Sequence, residues 1–510
     1  MNKKIAAIIV VICLIAVFAG IAIAEWQRSA VDVRQVSQLP KEEHQRTDEQ
    51  EDVDYGEDTG QLPTTGSEDG DEQQQEDEED EQNRDLVYIN ASSLRVRQQP
   101  SADADVIDSL VKGSAVNIVG ERTLENGELW YNIEYSDGKK DITGWINSEY
   151  TVKDRQDLLD ETYRRLDFSP QKKAKEYPNN PRVETRGIYL TIYSASGSRL
   201  DSLIEMAKKT KINTFVIDVK EDRGLVLFPN ETAAKYSPKA NRQAPLKDIE
   251  GLMKKLKDNG IYAIARIVCF KDPTYVDQFP DRAILDKRTG KPYKSRDGLI
   301  WASPHDKNLW EYNINMAKEA AAVGFNEVQF DYVRFPASNG GKLDSVLDYK
   351  NKDGVSKPET IQNFLKKAYS EISPLEVYVA ADVYGMVSSV EDDMGIGQYW
   401  EAISNVVDYI CPMKYPSHYG NGIYGLAVPD AYPYETVYYS ARDSVARNRN
   451  IQTPAIIRPW IQDFTASWVS GHIKYGEKQV RDQIRALEEN GITEYLLWNA
   501  GNTYTEAAMR

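Results

Sequence analysis

Cysteine and histidine are scarce in this chain, with three cysteines and four histidines among 510 residues. Cys13, Cys269 and Cys411 form neither a disulfide framework nor a CxxC zinc pattern. Cys269 and Cys411 fall in apolar, strand-like runs and read as buried thiols, while Cys13, preceded by Ile12, lacks the small residue that a lipoprotein cysteine needs. His44, His305, His418 and His472 stand in no HExxH or other ligand spacing, so no metal centre is expected and metal-dependent polysaccharide deacetylation is disfavoured. GxSxG, a P-loop and a dinucleotide fingerprint behind a strand are also missing, and no cofactor is expected. These absences exclude motifs rather than whole enzyme classes.

Basic patches are missing too. The formal net charge is −18. Residues 41–85 alone hold 20 acidic and 3 basic residues, a balance of −17, so the rest of the chain is close to neutral. Nothing here resembles a nucleic-acid footprint, and the acidic run opposes binding to a phosphate backbone.

Long apolar runs are likewise rare, with one exception. After the basic start "MNKK" comes "IAAIIVVICLIAVFAGIAIA", residues 5–24, without a charge. Twenty apolar residues span a bilayer, which favours a retained anchor, whereas "AIA" at 22–24 fits a signal-peptidase site. Either way, the positive residues before the span place the remainder outside the cell, on a single-pass anchor at the cell membrane or secreted. Residues 1–26 are thus read as anchor or signal, and 27–85 as a disordered acidic linker too poor in apolar groups to offset the entropy of ordering. "LPTTG" at 62–66 looks like a sortase signal but has no apolar tail behind it, and is read as chance.

From 86 to 152 short alternating runs, "LVYINASSLRVRQQP", "AVNIVGER", "LWYNIEYSD" and "DITGWINSEYTV", are punctuated by turn residues, the pattern of a small β-barrel. With "SLRVRQQPS" near its start and "GWI" near its end, the segment resembles a bacterial SH3-like domain. That resemblance implies binding to cell-wall peptide or glycan; the alternative is a spacer whose Trp130, Tyr131 and Trp145 are core aromatics. Residues 153–184 read as a connecting helix and loop, with helical periodicity in 155–168.

Beyond this, strand and helix patterns alternate. Eight strands are expected at 186–191, 214–220, 262–270, 327–335, 377–385, 406–415, 454–463 and 494–500, with helices at 200–211, 246–260, 308–324 and 477–491 between them. The fold class is α/β: a (β/α)8 TIM barrel over 185–510, preceded by the small all-β domain. Only eight residues, "TYTEAAMR", trail the last "WNAGN", so the run 155–168 is expected to cover the place of an eighth helix.

"EVQFDYVRFP", residues 327–336, carries the chemistry. Residues i, i+2 and i+4 of a strand share a face, so Glu327, Gln329 and Asp331 form a polar stripe, and in a barrel that stripe points inward. Asp331, nearest the carboxyl end, comes to the mouth, where barrel enzymes do their chemistry. Other strand ends bring Asp218, Arg266, Asp382, then Lys414, Tyr415 and His418, then Trp460, Gln462 and Asp463, then Trp498 and Asn499, with Arg334 just past Asp331. Carboxylates, amides, guanidinium groups and indoles suit a sugar, whose hydroxyls need hydrogen bonds and whose C–H faces pack on rings. Two carboxyl groups across a glycosidic bond are what its hydrolysis requires. Asp331 is assigned as nucleophile and Asp382 as general acid/base, with Asp218 in reserve; Glu327, deeper, is read as supporting, the other named residues are assigned to substrate binding, and Arg266 or Arg334 is expected to keep the nucleophile ionised. Each carboxylate also has a structural reading, as half of a buried ion pair.

"RGIYLT", "FVIDVKED", "SPHDKNLWEY", "EVQFDYVRFP", "AADVYG", "ICPMKYPSHY" and "RPWIQDF", together spanning almost all of 185–505, resemble a bacterial family of glycoside-hydrolase-like TIM barrels of undefined substrate. The resemblance implies a carbohydrate-active enzyme; the residue roles above rest on strand position. The expected partners are a cell-wall or capsule-like polysaccharide, wall peptide or glycan through the SH3-like domain, and the membrane through residues 1–26. A catalytically silent glycan-binding or envelope scaffold protein is the alternative.

In cells, the protein is expected to stay membrane-associated, with residues after 26 open to external protease. A mature protein that begins at Glu25 by mass spectrometry removes the anchor.

Overall fold

The computed structural model describes residues 86–510 apart from 92, 137–140 and 339–340. The anchor or signal and the acidic linker lie outside the described residues, among which no helix is long and apolar enough to cross a membrane. Two compact units divide near residue 165.

In the first unit, seven short strands between Leu86 and Val152 pair antiparallel in one sheet. Alternation buries Val87 and Ile89, Leu94 and Val96, and Ile142 and Ile146 on one side, so a period-2 sequence builds a small apolar core. Trp130 is buried, with its Nε1 donating to Glu128 Oε2 at 3.2 Å, and Tyr131 packs against the core; Trp145 is half-buried. The expected helix over 155–168 is not formed. Only Arg155–Leu158 is helical, as a 3₁₀ turn. Side chains take the acceptors that a longer helix would use: the Gln156 amide donates to the Arg164 carbonyl at 2.8 Å and the Arg164 guanidinium to the Leu159 carbonyl at 3.1 Å.

The second unit is a closed barrel of eight parallel strands in sequence order: Arg186–Leu190, Thr214–Lys220, Tyr262–Val268, Glu327–Asp331, Tyr378–Tyr384, Tyr409–Met413, Ile456–Ile457 continued by Trp460–Gln462, and Tyr495–Trp498. Strand five pairs with strand six and strand eight with strand one, which closes the ring. Helices between them start on side-chain caps: Asp248, Asp306 and Ser356 accept the Gly251, Asn308 and Glu359 amides ahead of Ile249–Asp258, Lys307–Ala322 and Lys357–Ile372. Outward strand residues such as Phe215, Ile217, Val328 and Phe330 join these helices in one apolar layer. The eighth helix is replaced by the C-terminal chain itself. Its 3₁₀ turn Glu506–Met509 buries Ala508 and Met509, and the Met509 carbonyl accepts the Lys211 amide at 2.8 Å.

Several strands are shorter than expected. Strand four ends at Asp331 because Tyr332 takes a positive φ of 49° and turns out of the sheet. Strand seven is split at Arg458 and Pro459, the latter without an N–H for the ladder. Inside the ring, Gly187 faces Leu496 so closely that a Cβ would stand 2.5 Å from Leu496 Cδ2. At the amino end the segment before strand one plugs the barrel: Tyr177 donates its amide to Tyr378 Oη at 3.2 Å, and Asn180 Nδ2 donates to the Asn326 and Glu376 carbonyls at 2.7 and 2.8 Å.

Glu327, lowest in the polar stripe, accepts two hydrogen bonds from Arg458 Nη1 at 2.7 and 2.9 Å, and Arg458 Nε reaches Glu494 at 2.7 Å. Glu327 and Arg458 are fully buried. Removing one member of such a pair leaves the other charge dry and short of partners. Glu327→Gln is expected to lower unfolding stability by about 3–5 kcal/mol, and Glu327→Leu combined with Arg458→Met to recover most of it, read from denaturant midpoints at unchanged slope.

Candidate active site

The stripe of strand four points inward, with Glu327, Gln329 and Asp331 all buried. Ladder register sets the neighbours of each. Arg266 on strand three lies level with Gln329 on one side and with Asp218 on the other. Asp331 ends the ladder opposite Val268, two residues beyond Arg266, and its Oδ1 accepts the Tyr332 amide at 2.6 Å, so the left-handed turn at Tyr332 also aims the carboxylate.

Arg266 spans both acids. Its Nε and Nη2 donate to Asp331 Oδ2, the first at 2.9 Å, and its Nη1 donates to Asp218 Oδ1. Tyr189 on strand one donates its hydroxyl to Asp218 Oδ2 at 2.5 Å, which occupies both Asp218 oxygens. The guanidinium carbon stands 5.5 Å from the ring centres of Tyr189 and of Trp498, and these two rings stack at 4.1 Å. A planar fork that meets carboxylates on two sides while aromatic rings pack against it is a task for arginine, which lysine cannot perform.

Asp382 has no such counter-ion. Its Oδ1 accepts Trp460 Nε1 at 2.7 Å and Gln329 Nε2 at 2.5 Å, and its Oδ2 is buried with no partner. Both donors are neutral. Gln329 lies level with Ala380, whose methyl group leaves that amide room to reach Asp382. Burial, and then the nearby Asp331 charge, push the Asp382 pKa well above the usual carboxylate range, against the opposing pull of Arg266 and the two donors. Burial also raises Asp218, with Arg266 and Tyr189 opposing. Of the three buried carboxyl groups, Arg266 thus hydrogen-bonds two, Asp218 and Asp331, and leaves Asp382 to neutral donors.

Around this core Trp460 lies level with Met413 and Tyr384 on the neighbouring strands, and Trp498 stands edge-on to Trp460 at 5.5 Å. Tyr415 is buried and packs against Trp498, Phe464 and the exposed His418, whose Nδ1 meets Ser417 Oγ at 2.9 Å. Trp460, Trp498 and Tyr415 stay with the acids, and His418 joins them through the Tyr415 ring. Four expected binding residues do not. Lys414 points outward and is fully buried, donating to the Ser440 carbonyl at 2.6 Å and to Ser388 Oγ at 3.2 Å; burial pulls its pKa down to about 7. Gln462 is spent on the Ser417 amide, Asp430 and the Phe464 carbonyl. Asp463 accepts the Thr505 amide and hydroxyl, and Asn499 Nδ2 donates to the Asp463 carbonyl at 2.6 Å, so both fasten the C-terminal chain. Arg334 makes no ion pair with Asp331; it lies among Trp301, Tyr332 and Tyr384, with Nη1 donating to the Phe335 carbonyl at 2.9 Å.

Sequence reading passed over Tyr189, although "RGIYLT" places it at an inward position of strand one. Trp301 lies in the long loop after strand three, where no periodicity exists to read. Among the described residues no group of three metal-binding side chains occurs.

The raised Asp382 pKa makes stability depend on pH. A group whose folded pKa exceeds its unfolded value contributes stability that is complete below the unfolded pKa and is lost as pH rises through the folded one. Asp382→Asn keeps an acceptor for Trp460 and Gln329 and removes the titration. The melting temperature of this variant is expected to fall less than that of the wild type as pH rises above the ordinary carboxylate range, by calorimetry at matched ionic strength.

Comparison with known proteins adds family to geometry. Residues 92–152 match the bacterial SH3 domain. Solved structures similar to the chain include a hypothetical protein from Ruminiclostridium thermocellum, 30% identical over 41% of this chain and 98% of its own, with a TM-score of 0.34. The glycoside hydrolase domain of PgaB (BpsB) from Bordetella bronchiseptica is 15% identical over 62% and 94%, TM-score 0.43. The alpha-galactosidase TtGalA from Thermus thermophilus is 11% identical over 82% and 84%, TM-score 0.40. At these TM-scores the likenesses add nothing to the chemistry of the site. No curated protein matches the chain. Residues 187–504, more than half of the chain and nearly the whole barrel, match the family described as "Putative glycosyl hydrolase domain", and the chain belongs to that family of glycoside hydrolases.

Proposed function

We propose that the barrel cleaves glycosidic bonds in a cell-wall or capsule-like polysaccharide outside the cell, tethered by residues 1–26, with Asp331 as nucleophile and Asp382 as general acid and then base. The observation that carries this reading is the contrast between level neighbours: Asp331 is ion-paired to Arg266, while Asp382 receives only neutral donors. Burial among neutral donors favours a proton on Asp382, as a general acid needs, and Arg266 offers Asp331 a counter-ion, as a nucleophile needs.

Register supports a particular stereochemistry. Phe330 pairs with Ala381, so one step on Asp331 and Asp382 come level on adjacent strands and on the same face. Neighbouring strands run about 4.8 Å apart. That spacing favours the carboxyl separation of about 5–5.5 Å typical of retaining enzymes over the roughly 6.5–9.5 Å that leaves room for a water. In the first step an Asp331 oxygen bonds to the anomeric carbon as the C–O bond to the leaving sugar breaks, and the Asp382 proton passes to the leaving oxygen. In the second, Asp382 takes a proton from water, whose oxygen displaces Asp331 and restores both acids. Asp218, with both oxygens engaged, orients Arg266.

Asp331→Asn preserves shape and removes the anionic nucleophile; turnover on purified envelope polysaccharide is expected to fall by orders of magnitude in a folded protein, and Asp382→Asn to cost about 10²–10⁴-fold and to abolish the alkaline limb of the pH profile. The first sugar released should keep its anomeric configuration by NMR. A folded Asp331→Asn that cleaves at the wild-type rate defeats the assignment. A wild type that binds wall polysaccharide yet frees no reducing ends from it points to the scaffold reading instead.

A further inference from the structure

Six lysine and arginine side chains in the described barrel are buried, and the way each charge is balanced singles out one of them. Lys220 pairs with Asp272, Arg266 with Asp218 and Asp331, Lys271 with Asp222 and Asp297, and Arg458 with Glu327 and Glu494. Lys414 and Arg334 have no carboxylate partner among the described residues. Lys414 escapes the cost of a dry charge because an amine can release its proton. A guanidinium cannot.

Arg334 is 8% exposed, and of its five N–H donors one has a partner, the Phe335 carbonyl. Its guanidinium carbon lies 4.8 Å from the ring centre of Trp301, 5.1 Å from Tyr332 and 4.5 Å from Tyr384. The rings attract a cation through their faces but accept no strong hydrogen bonds, so the fork keeps donors to offer. Burying an unpaired charge is costly, and the protein bears that cost at the catalytic end of the barrel. Arg334 follows Asp331 by three residues, and Tyr384 lies two beyond Asp382 on strand five, about 7 Å further along it. The cage therefore adjoins the acid pair at the distance of a neighbouring sugar.

Resting on the glycosidase reading above, we propose that the substrate is an acidic polysaccharide and that Arg334 binds the anionic oxygens, carboxylate or phosphate, of a sugar next to the scissile bond. A planar anionic group meets the open fork in a bidentate pair, and the cage rings pack on the sugar's C–H face. A neutral sugar leaves the guanidinium uncompensated, which makes the residue a selector of charge as well as a binding group.

The test uses the full chain and three probes at matched ionic strength: glucuronate, glucose 6-phosphate and glucose. Binding, followed by calorimetric titration and by the shift in melting temperature, is expected for at least one of the two acidic sugars and to exceed that for glucose by about tenfold or more. The stronger of the two identifies carboxylate or phosphate. Arg334→Gln is expected to erase the preference and Arg334→Lys to retain part of it; if the first variant does not fold, the second and the wild-type contrast still decide. Equal binding of all three probes, no binding of either acidic sugar, or a preference unchanged in Arg334→Gln overturns the proposal. Release of reducing ends from envelope polymers is measured alongside. Cleavage of a neutral polymer at equal rates by wild type and Arg334→Gln defeats the charge selection and leaves the glycosidase standing, whereas Arg334-dependent binding of an acidic sugar without cleavage of any polymer does the reverse.

Discussion

One guanidinium, that of Arg266, organises the mouth of the barrel. Among the described residues it is the one base hydrogen-bonded to any of the three acids at the mouth, and it is committed to Asp218 and Asp331. In a dry interior a charge is tolerated where it is paired, so the allocation of this single cation gives the three carboxyl groups different surroundings. Asp331 gains a counter-ion. Asp382, fastened by Trp460 and Gln329, gains only neutral hydrogen bonds, and burial pushes its pKa up. The difference in surroundings between the three acids comes from one side chain reaching two of them and not the third.

A second ion pair, one layer down, does structural work of the same kind. Arg458 crosses from strand seven to Glu327 on strand four and to Glu494 ahead of strand eight, with its guanidinium carbon 3.5 Å from the Tyr409 ring centre. Buried pairs of this sort contribute little net stability compared with apolar packing, and what they supply is fixed position. Here they fix the floor on which Gln329 and Asp331 stand. Arg334 follows a different logic, since rings surround it and no acid answers it. That contrast between paired and unpaired arginines within one barrel is the observation on which the proposed anion site rests.

Much of the site was legible as parity. Glu327, Gln329 and Asp331 face inward because the strand repeats every two residues, and Arg266, Asp382, Trp460 and Trp498 obey the same count on their own strands. The same count, applied strictly, argues against three of the residues that the structure removes. Lys414 follows inward Met413, Asp463 follows two residues after outward Ile461, and Asn499 follows inward Trp498. Gln462 has the inward parity of Trp460, yet the strand ends there and its amide turns to the loop after strand six. Nearness to a strand end in sequence is thus a weaker guide than the face a residue occupies.

The alternation of strand and helix, the inward polar stripe of "EVQFDYVRFP" and the absence of metal and nucleotide motifs were determined by the sequence alone, because periodicity and local chemistry are properties of neighbouring residues. Which acid meets the guanidinium was not. Arg266 and Asp331 are 65 residues apart, Gln329 and Asp382 are 53 apart, and Trp460 is 78 from Asp382. Charge state depends on which groups share a dry volume, and that is settled only when parallel strands close at a given register. The place of the missing eighth helix was decided in the same way, by a C-terminal turn whose Ala508 and Met509 find apolar partners only once the barrel exists.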